Sequence, residues 1–278
     1  MNILSLFDGM SCGQIALERA GIKVEKYYAS EIKKHAIEVT QHNYPKTIQL
    51  GDITKIKGKD LDKIDLLIGG SPCQDFSRAN KERKGVEGEK SSLFFEYMRL
   101  LKECNPKYFL LENVIMSSYN YWFICDQLNC EPVKICGSLV SAALRDRLFW
   151  TNIPPFSYDM FGRLISNISQ PKDKRIYLQN ILDSGKVYKR KHTCLNTGSG
   201  YQSPNQEALK HRDKTTGMIT LIYEEDSVRT VNQNELERLH NIPEGYTSIL
   251  NQTKAGDLIG DGWTVDVATH IFKGLKNE

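Results

Sequence analysis

The sequence predicts an α/β fold built on a doubly wound, mostly parallel sheet, and three observations point there. Short apolar runs alternate with amphipathic stretches over roughly the first 115 residues, the order that builds βαβ units. The first run, residues 2–7, passes through a glycine-containing turn at residues 8–13 into a helical stretch running towards Arg19 and Gly21. Successive runs then stop at glycine or at an acid, where the carboxyl ends of strands would open on a ligand crevice.

The elements follow in order. Residues 24–30 make a second strand ending at Glu31, and residues 33–43 are helical until Pro45 interrupts them. Residues 48–50 give a third strand ending at Gly51 and Asp52. Residues 64–68 give a fourth, leading through Gly69, Gly70, Ser71 and Pro72 to Cys73. An amphipathic helix over residues 91–104 carries Leu93, Phe94, Tyr97, Leu100 and Leu101 at helical spacing. Residues 108–112 form a strand ending in the carboxylate of Glu112, followed by Asn113 and Val114. Residues 140–150 read as another strand, with Arg145 and Arg147 on alternate positions and hence on one side. After Pro154 and Pro155 the chain turns polar and basic with weak periodicity, and a helix beginning at Arg229 ends at Pro243. A final helix opens at residues 260–265 and runs through Val267, Ile271 and Phe272. This organisation predicts a first part over residues 1–155, a second, smaller domain at 156–226 and a further part at 227–278.

Bulk composition sets limits. A chain of 278 residues, 40% hydrophobic and 26% charged, is an ordinary globular protein rather than a disordered one. No run approaches membrane-span length, and residues 1–8 lack the basic flank and long apolar region of a signal peptide, so an intracellular, cytoplasmic protein is expected. Seven cysteines without paired spacing fit reduced thiols, and no metal is expected. The net charge of +3 does not by itself indicate nucleic acid, so local clustering must decide. Between Lys186 and Thr220 seven basic residues stand against two acidic ones. Glycines there are interleaved with Tyr201, Gln202, Ser203 and Asn205, side chains that reach phosphates or base edges. Residues 78–90 carry five basic against three acidic residues.

The candidate chemistry sits at strand ends. Gly69 and Gly70 permit a sharp turn and close approach, and Pro72 limits where Cys73 points, the setting of a held nucleophile. Glu112, at the end of a second strand, would face the same crevice as an acid. The turn at residues 9–13 lacks the three-glycine dinucleotide spacing, which argues against a nicotinamide enzyme. Glu31, about 20 residues on, is placed to accept ribose hydroxyls.

Ser71-Pro72-Cys73-Gln74 followed by Glu112-Asn113-Val114 resembles the cytosine-5 DNA methyltransferase family. The stretch at residues 140–147, Val-Ser-Ala-Ala-Leu-Arg-Asp-Arg, resembles that family's Gln-x-Arg-x-Arg block with Ala143 in place of glutamine, as in the animal de novo subgroup. Phe94-Phe95-Glu96 and Gly260-x-x-Trp263 lean the same way, and the absence of an added reader domain is like bacterial and phage members. The resemblance implies that Phe7, Asp8, Gly9, Met10, Ser11 and Cys12, with Glu31, Ile32, Asp52, Ile53 and Trp263, bind S-adenosylmethionine. It implies that Cys73 attacks carbon 6 of a flipped-out cytosine in double-stranded DNA, assisted by Glu112, Arg145 and Arg147. Phosphate or base contacts are expected from Arg83, Lys84, Lys189, Arg190, Lys191, Tyr201 and Arg212. The same cysteine and glutamate serve a branch acting on transfer RNA, while intact Cys73, Glu112 and Asp8-Gly9 argue against a catalytically silent, DNA-binding relative. The basic insertion and the Val-Ser-Ala-Ala stretch favour DNA.

Overall fold

A computed structural model of the chain describes residues 1–71, 92–195, 205–216 and 219–276. The first strands alternate with helices: β1 (Asn2–Leu6), α1 (Cys12–Arg19), β2 (Lys26–Ser30), α2 (Lys34–Asn43), β3 (Ile48–Gln49), β4 (Leu66–Gly70), α3 (Ser92–Cys104) and β5 (Tyr108–Val114). Then come α4 (Ser118–Leu128), β6 (Cys130–Glu131), β7 (Val133–Cys136) and β8 (Asp146–Thr151). The main sheet has the order β3-β2-β1-β4-β5-β8-β7. Its first five strands pair in parallel, and β8 runs antiparallel to both neighbours. The sheet is therefore mixed α/β and mostly parallel, as expected.

Both faces of this sheet are covered, which is why its strands read as continuous apolar runs. Side chains alternate between two cores. Ile3, Leu66, Ile68 and Leu110 pack with Ile15 and Leu17 of α1 and with α8 (Val265–Phe272). Leu4, Leu6, Leu67 and Leu111 face the other way, against Phe94, Tyr97 and Leu100 of α3 and Ile124 of α4. The chain enters the sheet at β1 and extends in both directions from it, so a switch point lies between β1 and β4. Ligands of open α/β sheets bind beyond the carboxyl ends of the strands at such a point.

Beyond the sheet, β9 (Phe156–Tyr158) and β10 (Leu164–Ser166) form a small sheet with β6, and α5 (Gln206–Thr216) precedes the two-stranded β11 (Ile222–Tyr223) and β12 (Val228–Arg229). Among the described residues of 156–226 a separate cluster is small: Leu209 and Leu221 pack with Val228 and Ile219. Leu178, Ile181, Leu195 and Ile222 join the main core instead. The segment thus leans on the sheet domain.

Several local expectations are corrected. β5 continues through Glu112 to Val114, because β4 pairs with it as far as Glu112 and β8 as far as Val114. Residues 140–145 are not strand: a 3-10 turn at Gly137–Leu139 and pairing of Ala143 with His192 turn the chain, and β8 begins only at Asp146. Arg229 belongs to β12, and the helix α6 (Gln233–Leu239) starts after Asn232, whose side chain accepts from Glu235 N. Residues 260–261 end a helix, α7 (Gln252–Asp261), rather than opening α8. Among the described residues no helix is long and apolar enough to cross a membrane, and no group of His, Cys, Asp and Glu could hold a metal ion.

Candidate active site

Register alone assembles the centre of the site. In β5 and β8 Glu112 lies opposite Phe149, and Arg147 lies opposite Val114 on one side and Ile135 of β7 on the other. Opposed residues share a face, so Glu112 and Arg147 are diagonal neighbours on it. Their side chains meet, Arg147 Nε to Glu112 Oε1 at 2.7 Å, with both largely buried. Arg145, two positions earlier, comes to the same place although it precedes the strand. Glu112, Arg145 and Arg147 line one pocket with Ile135, Phe149, Trp263, Thr264 and Val267.

Arg145 is 4% exposed and ties together three distant segments. Its Nη2 donates to Gly262 O at 2.8 Å and its Nη1 to Leu195 O at 3.4 Å and Cys194 Sγ at 3.6 Å. Burial, with Arg147 close by, lowers its pKa. Among the described residues its Nε has no partner, and neither has Thr264 Oγ1.

Gly70, opposite Glu112 in the register, closes the other side. A Cβ there would stand 2.9 Å from Glu112 Oε2 and 3.1 Å from Trp263 Nε1. Only glycine lets the end of β4, the indole and the carboxylate come this close. Asn113 donates to Ser71 Oγ at 3.0 Å, which fixes the chain as it leaves β4. Cys73, Arg83, Lys84 and Tyr201 lie outside the described residues, as does the side chain of Arg212.

A second concavity lies at the ends of β1, β2 and β3. Phe7, Gly9 and Ser11 all have positive φ, 56°, 61° and 62°, winding the chain tightly into α1. The Glu31 carboxylate accepts from Gly9 N at 2.8 Å, Ile32 N at 2.7 Å and Lys33 N at 2.8 Å. With about four lone-pair sites per carboxylate, it retains capacity for a hydroxyl. Asp52 accepts from Thr54 N at 3.0 Å and Thr54 Oγ1 at 2.9 Å, bonds that lower its pKa. Cβ atoms built at Gly9 and at Gly51, φ +72°, would meet nothing within 4 Å, so the space above the turn is open. Ile32, 75% exposed, stands at its edge, while Ile53 is buried beneath.

Asp8 points inward. Ser11 Oγ and Tyr27 OH, the latter at 2.8 Å, donate to it, and burial pushes its pKa up to about 6. The side chains of Met10 and Cys12 are buried in the main core, and burial pushes the Cys12 thiol up to about 12. These two residues can offer a ligand backbone only. Trp263, in the α7–α8 connection, lines the pocket of Glu112.

The three adjacent cations expected at the basic insertion divide. Lys191 donates all three protons to carbonyls, of Ile176 at 2.6 Å, Ser138 at 2.7 Å and Ser141 at 2.8 Å. It is a corrected expectation, an internal cross-brace with no proton left for phosphate. Lys189 is turned to Asp213 at 3.2 Å and Ile219 O at 2.8 Å. Arg190 is exposed, its guanidinium 4.7 Å from the centre of the Tyr177 ring. Sequence reasoning missed Thr264 and the pocket wall of Ile135, Phe149 and Val267; the signal for Thr264 was its place beside Trp263.

A mostly parallel sheet with a tight first turn, acids following the next two strands and a buried carboxylate–arginine pair make up the site. Residues 1–120, less than half of the chain, match the family described as C-5 cytosine-specific DNA methylase. An orphan methyltransferase of Bacillus phage SPR, M.SPRI, is 43% identical over 116 residues, 41% of this chain and 26% of the relative. The type II methyltransferase M.NgoBV of Neisseria gonorrhoeae is 43% identical over 118 residues, 41% of this chain and 28% of its own length. The matched segment thus spans only about a quarter of the curated relatives' length. Solved structures resemble the fold end to end. A mutant of Spodoptera frugiperda DNMT2 superposes with a TM-score of 0.69 at 19% identity, covering 99% of both chains. A putative DNA modification methyltransferase from an Escherichia coli prophage gives 0.69 at 18% identity, covering 100% of this chain and 99% of the other.

Proposed function

We propose that the protein is a DNA (cytosine-5-)-methyltransferase, transferring methyl from S-adenosylmethionine to carbon 5 of a flipped-out cytosine. The observation that carries this reading is the meeting of Glu112, Arg145 and Arg147 in one pocket beside Gly70, three residues before Cys73 in sequence. The open space over Gly9 and Gly51, with acids at its rim, fits the nucleoside of S-adenosylmethionine: Glu31 takes the ribose, Asp52 and Ile32 the adenine. When bound, that cofactor supplies an electrophilic methyl.

Carbon 5 of cytosine is a weak nucleophile until the ring's conjugation is broken. The Cys73 thiolate adds at carbon 6, forming a carbon–sulfur bond and pushing the ring electrons towards carbon 5 and nitrogen 3. Glu112, held by Arg147 and sharing a proton with nitrogen 3, donates to that nitrogen while accepting from the neighbouring amine, and the shared proton offsets the charge that develops there. Arg145 fixes the pocket wall by holding residues 195 and 262 together. Carbon 5 takes the methyl, a base removes the proton from carbon 5, and the electron pair released expels Cys73. Because carbon 6 is inaccessible within a duplex, the base leaves the stack first. Residues 156–226 would supply contacts to the DNA.

The test is methyl transfer from labelled cofactor to duplex DNA and to transfer RNA, by wild type and by Cys73→Ser. Label at carbon 5 of DNA cytosine, abolished in the variant, is the expected result. Label on RNA alone, or on neither, overturns it.

A further inference from the structure

Residues 186–191 alternate in exposure: Lys186, Tyr188 and Arg190 are exposed, while Val187, Lys189 and Lys191 are half-buried. The inward set is accounted for by the contacts of Lys189 and Lys191 given above. The outward set is a cation, an aromatic and a second cation on one side of the chain. Tyr188 is 84% exposed and packs edge-on against Tyr223, ring centres 5.1 Å apart. Backbone pairing between Lys186 and Tyr223 holds that end, and Arg190 rests over Tyr177 while its O accepts from Leu178 N at 2.8 Å. Tyr188 and Arg190 thus rest against rings, and Lys186 is held through its backbone. Neighbouring Glu224 does not neutralise them, since it is bound to Arg229 and Ser184.

The same segment continues to Cys194 and Leu195, which touch Arg145 of the pocket. Cys194 lies four positions after Arg190, a reach of at most about 14 Å. A polyanion whose base occupies the pocket therefore lies within range of the outward face.

We propose that Lys186, Tyr188 and Arg190 form a docking rail for the sugar–phosphate backbone of duplex DNA. Lys186 and Arg190 would each neutralise a phosphate, and the Tyr188 hydroxyl would donate to a phosphate oxygen. This rests on the methyltransferase reading and replaces the contiguous Lys189–Arg190–Lys191 patch with every second residue from 186 to 190.

The experiment measures binding of the full chain to a duplex oligonucleotide over a range of salt, with cofactor binding and DNA methylation followed in parallel. In Lys186→Gln/Arg190→Gln the affinity falls, and the slope of log affinity against log salt drops by about 1.8, two phosphates' worth of released counterions. Tyr188→Phe, which keeps the packing on Tyr223, weakens binding several-fold at an unchanged slope. Lys63→Ala, an exposed cation before β4 at the opposite end of the strands, changes neither. Cofactor binding, intact in every variant, shows that the fold is kept. Wild-type slope and affinity in the double variant, with methylation of DNA intact, overturn the rail and leave the enzyme assignment standing. A wild type that neither binds nor methylates DNA overturns both.

Discussion

At the scale of single residues, the site depends on how little room separates its parts. Glu112 and Arg147 sit 2.7 Å apart with little solvent between them. Removing one partner of such a pair leaves a buried charge, a change that costs about 3–5 kcal/mol. Gly70 is as constrained, though it carries no chemistry. A methyl group added there must displace either the Glu112 carboxylate or the Trp263 indole, at 2.9 and 3.1 Å. Neither is the loose end of a surface side chain, because Arg147 holds one and the α7–α8 connection the other. Gly70→Ala is therefore expected to lower kcat for methyl transfer by about 100-fold, the scale of a misplacement near 1 Å. Thermal unfolding should move only a few degrees. Wild-type kcat in that variant would show that the Glu112 carboxylate is free to move.

At the scale of elements, stability at the carboxyl-terminal end rests on an N-cap. Asn232 Oδ1 accepts from Glu235 N at 2.9 Å, and Glu235 Oε2 accepts from Asn232 N at 2.8 Å, a capping box for α6. Glu235 is fully buried and also accepts from Arg229 at 2.7 and 2.8 Å and from Asp183 N at 2.9 Å. Asn232→Ala should cost about 1 kcal/mol and Glu235→Ala more, read as successive drops in the midpoint of thermal unfolding. Equal drops would mean that Arg229 finds full compensation in Glu224. The same box was in the sequence as Asn-x-x-Glu, the signal that places the helix start at 233 rather than 229. β1, β2, β4 and β5 were legible because burial on both faces gives short apolar runs between turn residues. α4 and α7 were not: α4 has aromatic residues around most of its circumference, and α7 carries Gly256 and Gly260. The acid and the two arginines could be read from spacing and family likeness. The closeness of Gly70 to Glu112 could not, since it exists only in the β4–β5 register, and the inward turn of Lys189 and Lys191 depends on partners far along the chain.

At the scale of the whole molecule, buried titrating groups on the main core's side of the sheet set opposing pH responses. His192 and His240 are buried, and among the described residues His240 has no hydrogen-bond partner for either ring nitrogen. Burial lowers His192 from 6.5 to about 4 and His240 well below its usual value. Each favours the fold while neutral, so their contribution is complete above about pH 6.5 and is lost as pH falls and the unfolded chain takes up protons. For His192 the loss by pH 4 is about 3 kcal/mol, at 1.4 kcal/mol per pH unit. Asp8 works the other way. Its pKa is raised from 3.8 to about 6 by burial, so the folded state holds its proton more tightly than the unfolded one. Its contribution is complete below pH 3.8 and disappears as pH rises through about 6, again a change of about 3 kcal/mol. Acidification from pH 6.5 to 4 thus sets the gain at Asp8 against the loss at His192, and His240 tips the balance towards unfolding. Asp8→Asn removes the compensating arm. The variant should lose stability more steeply than wild type between pH 6.5 and 4, and should be relatively more stable near pH 8, where wild type holds an ionised Asp8 out of water. Denaturant titrations at pH 4.5, 6 and 8 check this, and parallel curves for the two proteins would show that Asp8 is solvated and titrates normally in the folded chain.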